Sequence, residues 1–383
     1  MSGRVARTAE HVSAGHPDKF CDQVADRILD EVLALAALEG EAALAGVRTA
    51  IECLAKDNLL IISGEVKLTD AIRARLDVVE LAREVWKGIG YGEDAEQLTV
   101  INHIRSQSAD IAAGGASGPR SDGAGTDDGG AGDQGVMVGY ATRETEEGMP
   151  LEWLLARNLC FRLRDLRTSG ALSWLRSDCK TQISIDPTGT VTSVIVAAQH
   201  ADSAGDREIA EGILHHAIEP VVGYVPERVS INGTGRFVIG GPTGDAGVVG
   251  RKIVVDAYGP GVPVGGGAYS GKDPTKVDRS AAYMCRQIAK TVLAHHADVA
   301  SCTVSLAYGI GRFQPEMVSA ISDTGRDLSG WVREKFPDLS PRFIIESLGL
   351  RRRSGWSYLE TASYGHYGRS QFPWETVAQV SGS

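Results

Sequence analysis

Paired cysteines, a basic excess and long apolar runs are all missing from this chain, and each absence narrows what it does. Its six cysteines (Cys21, Cys53, Cys160, Cys179, Cys285 and Cys302) are scattered over 383 residues with no C-x-x-C pair. That pattern gives neither a disulfide framework nor a zinc ribbon and fits a reducing compartment. Lys and Arg (39) are outnumbered by Asp and Glu (49), for a net charge of −10. A protein that spreads a basic face over nucleic acid or a membrane surface is therefore not expected. No apolar run is long enough to span a bilayer and the first residues hold no signal-peptide core, so a cytoplasmic protein without a membrane partner is expected. The G-x-S-x-G elbow of serine hydrolases and the H-E-x-x-H zinc motif are absent too. His215-His216 and His295-His296 fall on expected helices without ligand spacing, and surface or core roles are expected for them.

What is present is concentrated between Ile231 and Ser280. Glycines there alternate with the cations Arg251, Lys252, Lys272, Lys276 and Arg279 and the acids Asp245, Asp256, Asp273 and Asp278. Glycine lets backbone N–H groups approach an anion, Lys and Arg offset its charge, and a carboxylate can hold a divalent metal against the same phosphates. A local basic cluster in an acidic chain points to a small, highly anionic ligand. Gly266 to Lys272 follows the Walker A pattern until Asp273, where a hydroxyl residue is needed to bind magnesium. The apparent Walker B, Ile253-Val254-Val255-Asp256, precedes the glycine run instead of following it. A P-loop is thus not expected.

Hydrophobic residues at 43% and charged residues at 23% describe a globular chain, and its length suggests two or three domains. Pro17 opens a helix along which Cys21, Val24, Ile28, Val32 and Leu35 recur at helical spacing until Gly40. Strands are expected at 47–55, 59–68 and 98–104, with a helix from 69 or 70 to about 88. The order then repeats: helix 151–167, strands 181–186 and 190–198, helix 206–218, strand 228–231. A third pass gives helix 274–296, strands 301–307 and 316–321, helix 328–336 and strand 342–346. The reading is an α+β chain of three similar α/β units, each a sheet with helices packed on it.

A glycine- and aspartate-bearing turn introduces each unit: Gly15 to Lys19, Gly130 to Gly135, and the stretch from 231 to 280. Between the first two units runs a glycine-rich segment, either a lid over a site or a solvated linker. Expected boundaries are 1–108 for the N-terminal domain, 109–132 for a mobile gate, 133–236 for the central domain and 237–383 for the C-terminal domain. His16 and Asp18 read plainly as a helix cap and a dipole complement. Beside a triphosphate, the imidazole could instead donate to a leaving oxygen and the carboxylate could hold Mg²⁺.

Three stretches, GHPDKFCDQVADRILD, GAGDQGVMVGYAT and FVIGGPTGDAGVVGRKIVVDAYG with GGGAYSGKDPTKVDRSAAY, together resemble the S-adenosylmethionine synthetase (methionine adenosyltransferase) family. DCKTQ and YGHYGRSQFPWE extend the resemblance over essentially the whole chain. It implies three similar α/β domains and an enzyme that joins L-methionine to ATP, with the triphosphate expelled from C5′ and then hydrolysed to pyrophosphate and phosphate. It also implies two Mg²⁺ per site, one K⁺ per subunit, and a homodimer or homotetramer with sites between subunits. By that resemblance His16 faces the breaking C5′–O5′ bond, and Lys180, Arg251, Lys252, Lys272 and Lys276 hold phosphates. Asp18 and Asp278 bind Mg²⁺, and Glu52 ligates K⁺. Glu65, Gln107, Asp245 and Lys276 contact methionine. Phe237 stacks on adenine, and Asp178, Arg236, Asp245 and Ala268 are further nucleotide contacts. Asp133 is the acid of the middle motif and the segment after Gln107 is the gate. Ala14, Cys179, Val249 and Tyr269 depart from the commonest family pattern without removing a phosphate or metal ligand. A kinase using the glycine-rich stretch as a phosphate cradle is the alternative.

Overall fold

The computed structural model describes residues 5–92, 95–107 and 130–380, so residues 109–129 of the expected gate lie outside the described residues. Three sheets organise the described chain. The first, in the order β4-β3-β2-β9, joins β2 (Arg48–Lys56), β3 (Leu59–Lys67) and β4 (Thr99–Ser106) to the short β9 (Gly247–Val248). The second, β1-β6-β7-β8, joins β1 (Arg7–Val12) to β6 (Leu175–Ile185), β7 (Val191–His200) and β8 (Arg228–Ile231). The third, β11-β10-β5, joins β5 (Gly135–Thr142) to β10 (Ser301–Tyr308) and β11 (Met317–Ser322). Each sheet thus takes one strand from a distant part of the chain.

One long helix covers a face of each sheet. The helix α1 (Pro17–Glu39) packs on β2, α2 (Leu151–Thr168) on β6 and β1, and α3 (Val277–His295) on β5 and β10. Strand periodicity explains the pairing. Along β2 and β3, Ile51, Cys53, Ala55, Leu60 and Ile62 are buried, and they share a core with Phe20, Val24 and Ile28 of α1. The alternate residues face outward: Leu54 is in register with Val248 and Ile61, and Ile61 with Ile101. These form an apolar row across the sheet in which Leu54 is 42% and Ile101 47% exposed.

Several expectations change. The strand expected at 342–346 is a helix, Pro341–Ser347, because Ser340 caps it through Phe343 N–H (3.2 Å) and Pro341 fits its first turn. The helix expected from 69 to 88 is two, Asp70–Arg75 and Val78–Ile89, since Asp77 stops one and caps the other through the N–H groups of Val79 and Glu80. The helix expected from Pro274 starts at Val277. Residues 273–276 form a turn held by Asp273, which accepts from Thr275 N–H at 2.9 Å. The helix expected at 206–218 widens into a π turn at Leu214–Ile218 and continues to Val222. Strands β1 and β5 had no counterpart in the sequence reading.

Candidate functional site

The exchanged strands bring the three polar turns together. The pairing of β1 with β6 sets Val12 opposite Lys180. Ser13 then clamps the following turn to β6, donating from Oγ to Ser177 O at 2.7 Å and from N to Cys179 O at 2.9 Å. Gly15 passes so close that a Cβ there would lie 2.2 Å from Ser177 O, which only glycine tolerates. His16 follows as the N-cap of α1, and its Nδ1 accepts from Asp18 N–H at 3.1 Å.

Both cationic loops dock along one edge of β2. Val248 and Gly247 of β9 pair with Leu54 and Ala55, while Lys272 bridges to Ala50 and Ile51 N–H donates to Gly271 O at 3.1 Å. The turn at 130–132 joins them, with Gly132 N–H donating to Thr275 O at 3.2 Å. A Cβ on Gly132 would come within 3.4 Å of the Lys276 side chain, and one on Gly267 within 2.2 Å of the Asp278 carboxylate.

Charges in this cluster are paired with opposite charges. Asp18 accepts from Lys252 Nζ at 2.5 Å and from Val248 N–H at 2.8 Å, with Arg251 3.9 Å away. These contacts outweigh burial and hold Asp18 below the usual carboxylate range. Burial first, then Lys252, pushes His16 down to about 4, against the pull of Asp18. Lys272 Nζ donates to Asp278 at 2.6 Å. Lys180, half-exposed, pairs with Glu10 at 2.6 Å. Burial raises Glu52, opposed by Lys272 and reinforced by Glu65. Ala50, two residues before Glu52 on β2, pairs with both Glu65 and Lys272, so the register sets the three residues on the outer face of the first sheet. Asp178 accepts from Gly241 N–H at 2.7 Å, and burial lifts it to about 6, with Asp245 adding to the shift.

The remaining expected residues lie further out. Phe237 N–H donates to His200 Nε2 at 2.9 Å, beside a cavity of about 280 Å³ lined by Tyr91, Ser177, Gln199, Val238 and Ile239. Ala268 packs on Gly250. Asp245 is exposed, as is Arg236, which pairs with Asp202 and not with a cluster member. Gln107 extends β4 through a backbone bond to Val66 O at 3.0 Å, and the Asp133 carboxylate accepts from its neighbour Gln134 N–H. Asp273, which breaks the Walker pattern, is a buried hub. It accepts from Thr49 N–H (2.8 Å), Thr275 Oγ1 (2.7 Å) and Lys276 Nζ (3.0 Å), and it shapes the loop without facing a ligand.

One group escaped the sequence reading. Asp18, Asp22, Asp26 and Asp30 recur every fourth residue on α1 and make a ladder of carboxylates along one side of it. Asp22 accepts from Gly250 N–H, Asp26 from Gly271 N–H, and Asp30 from Tyr358 and Leu359 N–H. The signal is a D-x-x-x-D repeat interleaved with the apolar positions that mark the helix.

Among the described residues no group of three or more His, Cys, Asp or Glu side chains could by itself hold a metal. Single carboxylates at Asp18 and Asp278, each beside a lysine, do suit Mg²⁺, which takes one or two protein carboxylates plus substrate phosphates and water.

Fold and site together define an α+β protein with a cation-lined candidate site whose charge suits a polyanion, built on all three sheets. Family models for the N-terminal, central and C-terminal domains of S-adenosylmethionine synthetase match residues 4–109, 128–237 and 239–376. The chain is 45% identical to S-adenosylmethionine synthase 1 of Rhodospirillum rubrum, an alignment spanning 97% of this chain and 96% of the relative. It is 42% identical to S-adenosylmethionine synthase of Petrotoga mobilis over the same shares, and 41% identical to that of Parasynechococcus marenigrum over 99% and 96%. The chain belongs to the S-adenosylmethionine synthetase family.

Proposed function

We propose that the thioether sulfur of L-methionine attacks C5′ of ATP and expels the whole triphosphate, which the same site then hydrolyses to pyrophosphate and phosphate. S-adenosylmethionine synthesis is the activity of the family to which the chain belongs; its course here is what the site residues support. A thioether is neutral and has no proton to lose, so the attack needs no general base. The barrier falls through positioning and through stabilisation of the leaving group.

The observation that carries this reading is the cap at His16. Because Nδ1 accepts from Asp18 N–H, the proton of the neutral ring belongs on Nε2. That leaves an N–H free to donate to O5′ as the bond to C5′ breaks. Lys252 and Lys272, now paired with Asp18 and Asp278, would turn to the phosphates, with Arg251, Lys180 and Lys276 beside them. Asp18 and Asp278 would hold two Mg²⁺ ions and Glu52 a K⁺ ion; when bound, these cations offset the charge of the triphosphate. Phe237, Asp178, Arg236 and Ala268 would take the nucleoside end, and Glu65, Gln107 and Asp245 the methionine. Asp133 would act from the middle turn.

Glu52 and Glu65 face outward on the sheet that carries the Leu54–Ile61–Ile101 row. An exposed apolar row beside ligand-binding acids supports a homodimer, or a tetramer of two dimers, in which this face is covered and each site is completed by a second subunit. Free, buried cysteines fit a cytoplasmic enzyme.

The test is product analysis after incubation with ATP, methionine, Mg²⁺ and K⁺. S-adenosylmethionine with equal amounts of pyrophosphate and phosphate is expected. ADP would assign a kinase, and no turnover would leave a nucleotide-binding protein.

A further inference from the structure

Asp22 lies one turn beyond Asp18 on α1 and is fully buried. Its Oδ1 accepts from Gly250 N–H at 2.8 Å and its Oδ2 from Lys19 Nζ at 2.8 Å; Lys19 also reaches Asp256 at 2.5 Å. Gly250 has φ +74°, and a Cβ there would meet the Ala268 Cβ at 2.5 Å, so the backbone at this point is tightly specified. The next two residues are Arg251 and Lys252, and Lys252 returns to Asp18. Residues 248–252 are therefore tied to α1 at three points: Val248 N–H and Lys252 Nζ on Asp18, and Gly250 N–H on Asp22.

The next turn of α1 repeats the device. Asp26 accepts from Gly271 N–H at 2.9 Å, and Gly271, with φ +82°, directly precedes Lys272. Successive acids rise about 6 Å along a helix. One helix thus holds the two cationic arms a turn apart, each by a carboxylate on the left-handed glycine that precedes its lysine or arginine.

We propose that Asp22 is a positioning residue for triphosphate binding. By fixing Gly250 it sets where Arg251 and Lys252 stand beside Asp18 at the start of α1, and so how they meet the triphosphate. This rests on the reading of the site as a triphosphate grip. Asp26 holds the other arm, but it also carries the buried Arg279 through two bonds of 2.7 Å, so its loss mixes positioning with folding. Asp22 is the cleaner probe because Lys19 keeps Asp256 when Asp22 is removed.

The experiment is a double-mutant cycle on the full-length protein, with rates normalised to folded enzyme. Asp22→Ala is expected to lower kcat/KM for ATP about tenfold to a hundredfold, the usual effect of losing a residue that orients a ligand-binding group. Asp22→Asn, whose carboxamide oxygen can still accept from Gly250 while its NH2 faces Lys19 in place of an acceptor, recovers part of that loss. In a Lys252→Met background Asp22→Ala costs less than about threefold more, because the arm it positions has already lost its lysine; in a Lys272→Met background it keeps its full cost. A purely structural role would give the same cost in every background. Should the alanine variant not fold, Asp22→Ser, polar but too short to reach Gly250, carries the same cycle. Full additivity with Lys252→Met, or unchanged kcat/KM in Asp22→Ala, overturns the positioning role while wild type still forms S-adenosylmethionine. A wild type that forms none overturns the functional reading instead.

Discussion

Asp178 is a buried carboxylate that accepts from Gly241 N–H at 2.7 Å. Burial raises it from an ordinary value near 3.8 to about 6. The folded state therefore binds the proton more tightly than the unfolded chain does. The stabilising effect of that proton is complete below about pH 4 and is lost as pH rises through 6. Asp178→Asn keeps an acceptor for Gly241 without the charge, so the ligand-free variant should be more stable than wild type by about 2–3 kcal/mol at pH 8, converting a shift of about two pH units. The two should match near pH 4, and urea unfolding at both pH values checks this; equal stabilities at pH 8 would contradict it. If Asp178 contacts the nucleotide, the same change weakens ATP binding, so stability and function move in opposite directions. Asp273 shows what sequence reading reached at this scale. Its place after Gly271-Lys272 excluded a P-loop, but its role as a hub for Thr49, Thr275 and Lys276 depends on β2, more than two hundred residues away.

Among elements, α1 does most to join distant parts of the chain. Its apolar spacing made the helix legible, and Pro17 and Gly40 marked its ends. Its acids were not legible as a group, because each finds its partner in segments near 250, 271 and 358 that local sequence does not connect to it. The pairing of Asp26 with Arg279 links α1 to α3 where both side chains are fully buried. Asp26→Ala would strand a guanidinium in the core and leave Gly271 N–H without its acceptor. A loss of about 3–5 kcal/mol is expected in denaturant unfolding, with Arg279→Met in the same chain restoring part of it. A loss under 1 kcal/mol would show that the pair is hydrated or dispensable. Strands β1 and β5 escaped the sequence reading for a related reason: neither pairs with a sequence neighbour, and their partners are β6 and β10. The helix Pro341–Ser347 was legible in principle from Ser340-Pro341, a cap followed by a first-turn proline, but its short apolar run resembled a strand.

On the scale of the whole molecule, the triple repeat was readable because each unit carries a long periodic helix, while the exchange of strands that builds the site was not. The outward row of Leu54, Ile61 and Ile101 is where self-association should be sensitive. Ile101→Glu places a charge on the edge strand of that face. It should shift the protein to monomers in light-scattering chromatography and abolish activity in parallel, whereas a fully active monomer would contradict sites completed by a second subunit. The central claim, that sulfur displaces triphosphate from C5′, is tested most directly with ATP carrying ¹⁸O at the oxygen bridging C5′ and the α-phosphorus. Cleavage of the C5′–O5′ bond leaves that oxygen on phosphorus, so mass spectrometry should find the label wholly in pyrophosphate and phosphate, with S-adenosylmethionine formed in equal amount. Label retained on a nucleoside or nucleotide product would mean that a P–O bond breaks, and would contradict the account.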